Sequence, residues 1–187
     1  MINSFGSTAI AGYSAGMRIE SLSIVPMLAM GNAMSTFTAQ NMGAGKIDRV
    51  KEGYRMCYVI VLTAGAVLCV MYQLAGGAFV SLFLDGGSSE AYSVGLSYVK
   101  FLSFFYSFIG LKASTDGLLR GAGDVTAFTV ANLVNLAIRV SVTNLFAPIY
   151  GIQVAWMAVP LGWAANYVIS FGWYLTGKWK KVRVIKK

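Results

Sequence analysis

The feature that most constrains this chain is a run of residues without a formal charge, Leu22 to Met42, inside SLSIVPMLAMGNAMSTFTAQNMGAGKIDRV at residues 21–50. About twenty weakly polar or apolar residues are enough to carry a helix across the roughly 30 Å hydrocarbon layer of a membrane. Pro26 lies inside the run; it removes a backbone donor and strains the preceding turn, which predicts a bend there. In lipid such a bend is tolerated where neighbouring helices or a water-filled cavity satisfy the freed carbonyl. Gly31 follows one turn later, so Pro26 and Gly31 are read together as a hinge. Asn32, Thr36 and Gln40 recur every four residues and form an uncharged polar stripe along one face. The run stops at Gly43-Ala44-Gly45-Lys46, followed by Asp48, Arg49, Lys51 and Glu52. A kinked apolar helix with a polar stripe and a basic exit is the pattern of a helix lining a pathway in a polytopic membrane protein.

The composition supports an all-α helical bundle in a membrane. Of the residues, 57% are hydrophobic and 12% charged, against about 25% charged in soluble domains. Mean hydropathy is +0.64. The net charge is +8, which in a soluble chain would suggest a nucleic-acid surface. Here the basic residues sit in short loops and the C-terminal tail, the distribution of cytoplasmic loops in membrane proteins, so no nucleic-acid partner is expected. The chain has no histidine, which removes the usual general base and the commonest metal ligand. Cys57 and Cys69 lie too far apart on one predicted helix to pair, and no metal-ligand spacing exists. No catalytic residue, metal or cofactor is expected.

Residues 1–17 are small and apolar but short for a span; they read as the end of a partial helix leading through a flexible link to Arg18 and Glu20, with an interfacial segment as the alternative. Five full spans follow, at about 21–42, 54–74, 92–113, 125–146 and 152–176, before a basic tail at 177–187. Lys46, Arg49 and Lys51 fill the first loop, with Arg55 just beyond it; Lys112 and Arg120 mark the third, and the tail KWKKVRVIKK holds six basic residues. The loops 75–91 and 147–151 hold none. This alternation predicts a cytoplasmic C-terminus.

Gly43-Ala44-Gly45 and Gly121-Ala122-Gly123 repeat at the ends of two predicted helices, where glycine permits tight reversals. The echo fits an internal repeat or chance recurrence. Gly-Ala-Gly-Lys is not a phosphate loop, because Gln40 and Ile47 stand where that pattern needs glycine and Ser or Thr. Asn132, Asn135 and Arg139 share one face of the fourth span, and an arginine at that depth costs at least about 2.5 kcal/mol unless paired or hydrated. They read either as cavity lining or as an interhelical clamp. Asp116 reads either as a cation-binding carboxylate or as a helix-end acid paired with Arg120 at i+4. Lys100 and Lys112 read as snorkelling residues at opposite ends of the third span. That span also carries six Phe or Tyr residues between Tyr98 and Phe108, either faces for an organic cation or packing mass.

The segments AQNMGAGKIDRVKEGYR and LLRGAGDVTAFTVANLVNLAIRV, with Pro26 and Gly31 before the first, resemble the multidrug and toxic compound extrusion (MATE) family. So do NSFGSTAIAGYSAGMRIESL and GIQVAWMAVPLGW, and the resemblance is to that family's second lobe. It implies a fold of two six-helix lobes around a central cavity, and exchange of Na⁺ or H⁺ for small organic, typically cationic, substrates. The implied partners are the lipid bilayer, the substrate and a missing N-terminal lobe; the implied location is the bacterial inner (plasma) membrane, multi-pass. On an exporter reading, Asn32, Thr36, Gln40, Asp116, Asn132, Asn135 and Arg139 are expected along the pathway, with Gly43, Gly45, Arg120, Gly121, Gly123 and Asp124 at cytoplasmic turns. The stretch Phe108–Ala113, where the family's later membrane carboxylate would fall, has none. A lipid-precursor flippase of the same superfamily, or a non-transporting scaffold or inert fragment, is the alternative reading.

Overall fold

A computed structural model describes residues 6–84, 89–151 and 153–181. Six α-helices follow one another, with no strand among the described residues: α1 (Ser7–Gly43), α2 (Ile47–Ser81), α3 (Ser89–Ser103), α4 (Tyr106–Gly121), α5 (Val125–Tyr150) and α6 (Gln153–Leu175). α1, α2, α5 and α6 are each long and apolar enough to cross a membrane, and the bent pair α3–α4 makes a fifth span if taken as one.

From Ser7 onward the expected partial helix and flexible link to Arg18 and Glu20 give way to one continuous helix, while residues 1–5 lie outside the described residues. α1 runs for 37 residues through Arg18, Glu20 and Pro26, roughly 55 Å at the helical rise. Arg18 is exposed, whereas Glu20 is buried and accepts a hydrogen bond from the Tyr98 hydroxyl of α3. The carboxylate is thus satisfied across the bundle and does not end the helix. α2 extends past the expected 54–74 to 47–81, and α5 past Phe146 to Tyr150. Ile152, Asp85 to Gly87 and residues 182–187 of the basic tail lie outside the described residues.

The third expected span, 92–113, is two helices bent by 52° at Phe104–Phe105. No proline or glycine stands there. The break is held from α2 instead: Gln73 Nε2 donates to the Lys100 carbonyl at 2.9 Å and to Ser103 Oγ at 2.9 Å. A side chain inserted into the i to i−4 ladder satisfies the carbonyl that the bend frees, one of the recognised causes of a sharp kink. Below the break, α4 is the centre of the bundle and packs against α1, α2, α5 and α6. Seven consecutive residues, Ala113 to Leu119, are buried, so this stretch is enclosed on every face rather than along one stripe.

Small residues let α1 and α4 meet backbone to backbone. A Cβ on Gly31 would stand 2.6 Å from the Ala113 carbonyl oxygen, and one on Gly117 would strike the Gly31 carbonyl. Helices in lipid associate through such close packing. The two Gly-Ala-Gly reversals share one geometry. Lys46 N–H donates to Asn41 O at 2.8 Å and Gly45 N–H to Met42 O at 3.0 Å; Asp124 N–H donates to Leu119 O at 2.9 Å and Gly123 N–H to Arg120 O at 3.0 Å. With φ of +70° at Gly45 and +84° at Gly123, both are Schellman closures. The positive φ falls on the second glycine of each triplet; Gly43 and Gly121 are the last helical residues, and Gly121 packs against the Ser35 carbonyl.

α6 ends at Leu175, and Gly177 (φ +68°) turns the chain into a short 3-10 turn, Lys178–Lys181. Trp179 is fully buried there, stacked on Tyr174 at 5.7 Å with its Nε1–H donating to the Tyr174 carbonyl at 3.1 Å.

Candidate functional site: a polar cavity between α1, α4 and α5

A cavity of about 320 Å³ opens between α1, α4 and α5, lined by Asn32, Lys112, Asp116, Arg120 and Asn132 together with Leu28, Gly31, Ala113, Gly117 and Phe128. Its polar centre is a buried ion pair. Lys112 Nζ lies 3.0 Å from Asp116 Oδ2, with side-chain exposures of 13% and 6%. The same ammonium donates to Asn132 Oδ1 at 3.0 Å, and Asn132 Nδ2 donates to Asp116 Oδ2 at 3.3 Å and to the Phe128 carbonyl at 2.8 Å. The other carboxylate oxygen, Oδ1, accepts from Ser170 Oγ of α6 at 2.6 Å. Three helices therefore converge on one carboxylate. Removing one partner of a buried pair costs about 3–5 kcal/mol, because the other charge is left uncompensated.

The rotation of α4 that aims Asp116 into the cavity is fixed by its predecessor. Thr115 Oγ1 lies 2.7 Å from the Tyr54 hydroxyl and 2.9 Å from that of Tyr58, both on α2. Asp116 thus points away from α2 while Thr115 locks onto it.

Two sequence expectations are corrected at this point. Asp116 does not pair with Arg120 as a helix-end acid; it is buried within α4 and pairs with Lys112, one turn earlier. Lys112 does not snorkel to an interface. Arg120 instead reaches α1: Nη2 donates to Asn32 Oδ1 at 2.7 Å and Nε to Ser35 Oγ at 3.4 Å, with the guanidinium 5.7 Å from the centre of the Phe128 ring. Arg120, expected at a turn, is a cavity residue.

The remaining expected pathway residues divide. Asn32, Thr36 and Gln40 are all exposed, so their stripe faces out of the described bundle, with only Asn32 reaching the cavity rim. Asn135 sits against Gly162 of α6, its Oδ1 buried and without a hydrogen-bond partner among the described residues. The Arg139 stem also crosses Gly162, and Arg139 lines a second cavity of about 410 Å³ with Tyr13, Leu136, Val140, Thr143, Asn144 and Ala155. There it interacts electrostatically with Glu20 and Tyr13. The stripe on α5 therefore serves two cavities. Gly31 is held in the α4 contact, Pro26 lies within unbroken α1, and Gly43, Gly45 and Gly123 stay in the turns. Asp124 caps α5 through Ala127 N–H at 3.4 Å and accepts from Trp173 Nε1 at 2.6 Å, which ties the α4–α5 turn to α6.

Lys112 and Glu20 are the residues the sequence reading missed. The i, i+4 spacing of Lys112 and Asp116 was the available signal for the first. Glu20 offered none, because its partner lies 78 residues away.

The family profile described as MatE matches residues 1–157. A protein of Bacillus subtilis named "Probable multidrug resistance protein YpnP" is 28% identical over 185 residues, covering 98% of this chain and 41% of that one. A structure described as MATE in the bent conformation superposes with a TM-score of 0.84 at 17% identity, over 95% of this chain and 40% of that one. One described as an inward-facing multidrug resistance MATE family transporter gives 0.81 at 18% identity, over 90% and 38%. The chain thus spans about 40% of the length of the proteins it matches.

Proposed function

We propose, for a chain that belongs to the MatE family, that it forms most of one lobe of a secondary active exporter whose cargo passes the cavity between α1, α4 and α5. The observation that carries this reading is the buried Lys112–Asp116 pair in an open, polar cavity rather than in a dry core. A charge in the membrane interior costs several kcal/mol and faces a cavity or partner where a pathway needs it. The exported compound is a small organic cation, exchanged for Na⁺ or H⁺, and no cofactor takes part because the ion gradient supplies the work. The exposed stripe Asn32, Thr36 and Gln40 faces the space that the other lobe closes, and α1 changes its curvature at Pro26 as access alternates. Lys46, Arg49, Lys51, Arg120, Lys178 and Lys180 gather at one end of the bundle, which supports the reading that this end faces the cytoplasm of a bacterial cell. The test is ethidium efflux by the native gene product in a bacterial strain stripped of its own exporters. Wild type should extrude ethidium, and Asp116→Asn should abolish extrusion at unchanged membrane abundance. Full efflux by Asp116→Asn would remove the cavity from the pathway.

A further inference from the structure

We propose that the second cavity, built around Arg139, is a carboxylate-binding subsite, and that the cargo it selects carries an acid group beside its cationic centre. The proposal rests on the exporter reading above and adds to it a second anchoring point and a narrower cargo class.

Arg139 stands near the middle of α5 (Val125–Tyr150), a helix long and apolar enough to span the membrane. An ionised side chain at such depth is retained where it meets a partner or a wet cavity. Among the described residues the guanidinium has neither an ion pair nor a hydrogen bond. Gly162 of α6 seats its stem: a Cβ there would stand 2.9 Å from Arg139 Cγ and 3.2 Å from Cδ. The aliphatic chain therefore rests on α6, and the charged head is left to the cavity of about 410 Å³. Glu20 of α1 interacts with it electrostatically without forming an ion pair, and that carboxyl group is engaged by the Tyr98 hydroxyl.

The donors of this cavity suit one carboxylate. A guanidinium presents its N–H groups in a fixed fork, two of which match the two oxygens of a carboxylate. Thr143, one turn beyond Arg139 on α5, lines the same cavity with a hydroxyl that is unbonded among the described residues. Asn144 donates its amide N–H to the Val140 carbonyl at 2.9 Å, and Tyr13 and Leu136 add apolar wall. Among the described residues no second cation lines the cavity, so a phosphate dianion would keep a negative charge uncompensated, a penalty that a carboxylate avoids. Asn132 at the first cavity and Arg139 at the second are two turns apart on α5, about 10 Å at the helical rise. One extended small molecule can therefore lie along α5 with its acid group on Arg139 and its body in the first cavity.

The experiment measures dye binding to the native gene product in detergent by fluorescence anisotropy. The probes are rhodamine B, which carries one carboxylate beside its cationic xanthene, and rhodamine B ethyl ester, in which that carboxylate is capped. Wild type should bind the acid about tenfold to a hundredfold more tightly than the ester, the range of a charge-assisted hydrogen bond. Arg139→Ala should cancel that preference, and Arg139→Lys should keep only part of it, since a point charge replaces the fork. Equal binding of acid and ester by wild type, the result if an acidic side chain elsewhere in the native protein already pairs with Arg139, overturns this proposal and leaves the exporter reading standing. So does Arg139→Ala weakening both dyes with the preference intact, which marks a purely structural arginine, and so does binding of ethidium but of neither rhodamine. No binding of ethidium or of either rhodamine by wild type overturns both.

Discussion

Gly31→Ala tests whether the α1–α4 seam sets the dimensions of the cavity. The new methyl carbon would stand 2.6 Å from the Ala113 carbonyl oxygen and 3.2 Å from the Ala113 Cβ. Ordinary contact needs several tenths of an ångström more, and the obstacle is backbone, which cannot rotate away. Overpacking of this kind costs about 1–3 kcal/mol, set against a gain of up to about 1 kcal/mol from replacing glycine by alanine inside a helix. A net loss of up to about 3 kcal/mol lowers the melting temperature of a domain this size by up to roughly 12 °C. Gly172→Ala on α6 is the matched control: nothing lies within 4 Å of its new Cβ, so only the helix-propensity gain remains. Both variants are followed by thermal melting in detergent, read by fluorescence-detected size exclusion. Gly31→Ala melting at or above Gly172→Ala would refute the reasoning, because the seam would then have room that the backbone approach denies.

Other residues give sharper local tests. Trp173→Phe keeps the ring near Lys178 but removes the 2.6 Å hydrogen bond to the Asp124 carboxylate; a loss of about 1.5–3 kcal/mol is expected, read by the same melting assay. Gly123→Ala places a Cβ at φ +84° and should cost about 1–2 kcal/mol, while Gly123→Asn should cost less, because asparagine tolerates that conformation. Arg139→Ala should reduce ethidium efflux at normal membrane abundance, since it opens the second cavity and leaves Glu20 without its cationic neighbour; unchanged efflux would take Arg139 out of the mechanism.

The apolar helices and the two glycine turns were legible in the sequence because each is local: a run of apolar residues, a triplet that needs positive φ. What was not legible depends on partners distant in the chain. The α3–α4 break carries no proline or glycine of its own and is set by Gln73 of α2. α1 passes Glu20 uninterrupted because Tyr98 receives the carboxylate; counting only enough residues to cross a bilayer ends a helix too soon when it continues beyond the lipid. Asp116 had a lysine four residues before it and an arginine four residues after. Spacing alone could not choose between them. Burial of α4 on every side does, by drawing Lys112 inside and leaving Arg120 at the rim to reach α1.

The twin Schellman closures bear on how such a chain is made. Each reversal is held by backbone bonds spanning six residues, from Asn41 to Lys46 and from Leu119 to Asp124, so neither waits for a distant strand of the polypeptide to arrive. As the chain emerges from the ribosome, α1–α2 and α4–α5 can each close into a hairpin as soon as their own residues are out, and pass into the bilayer as prefabricated pairs. The contacts that join one pair to the other, at the Gly31–Gly117 crossing and between Thr115 and the Tyr54 and Tyr58 hydroxyls, come later. An error in either turn would therefore be felt during synthesis, as a hairpin of wrong orientation, and an error in the seam only at assembly.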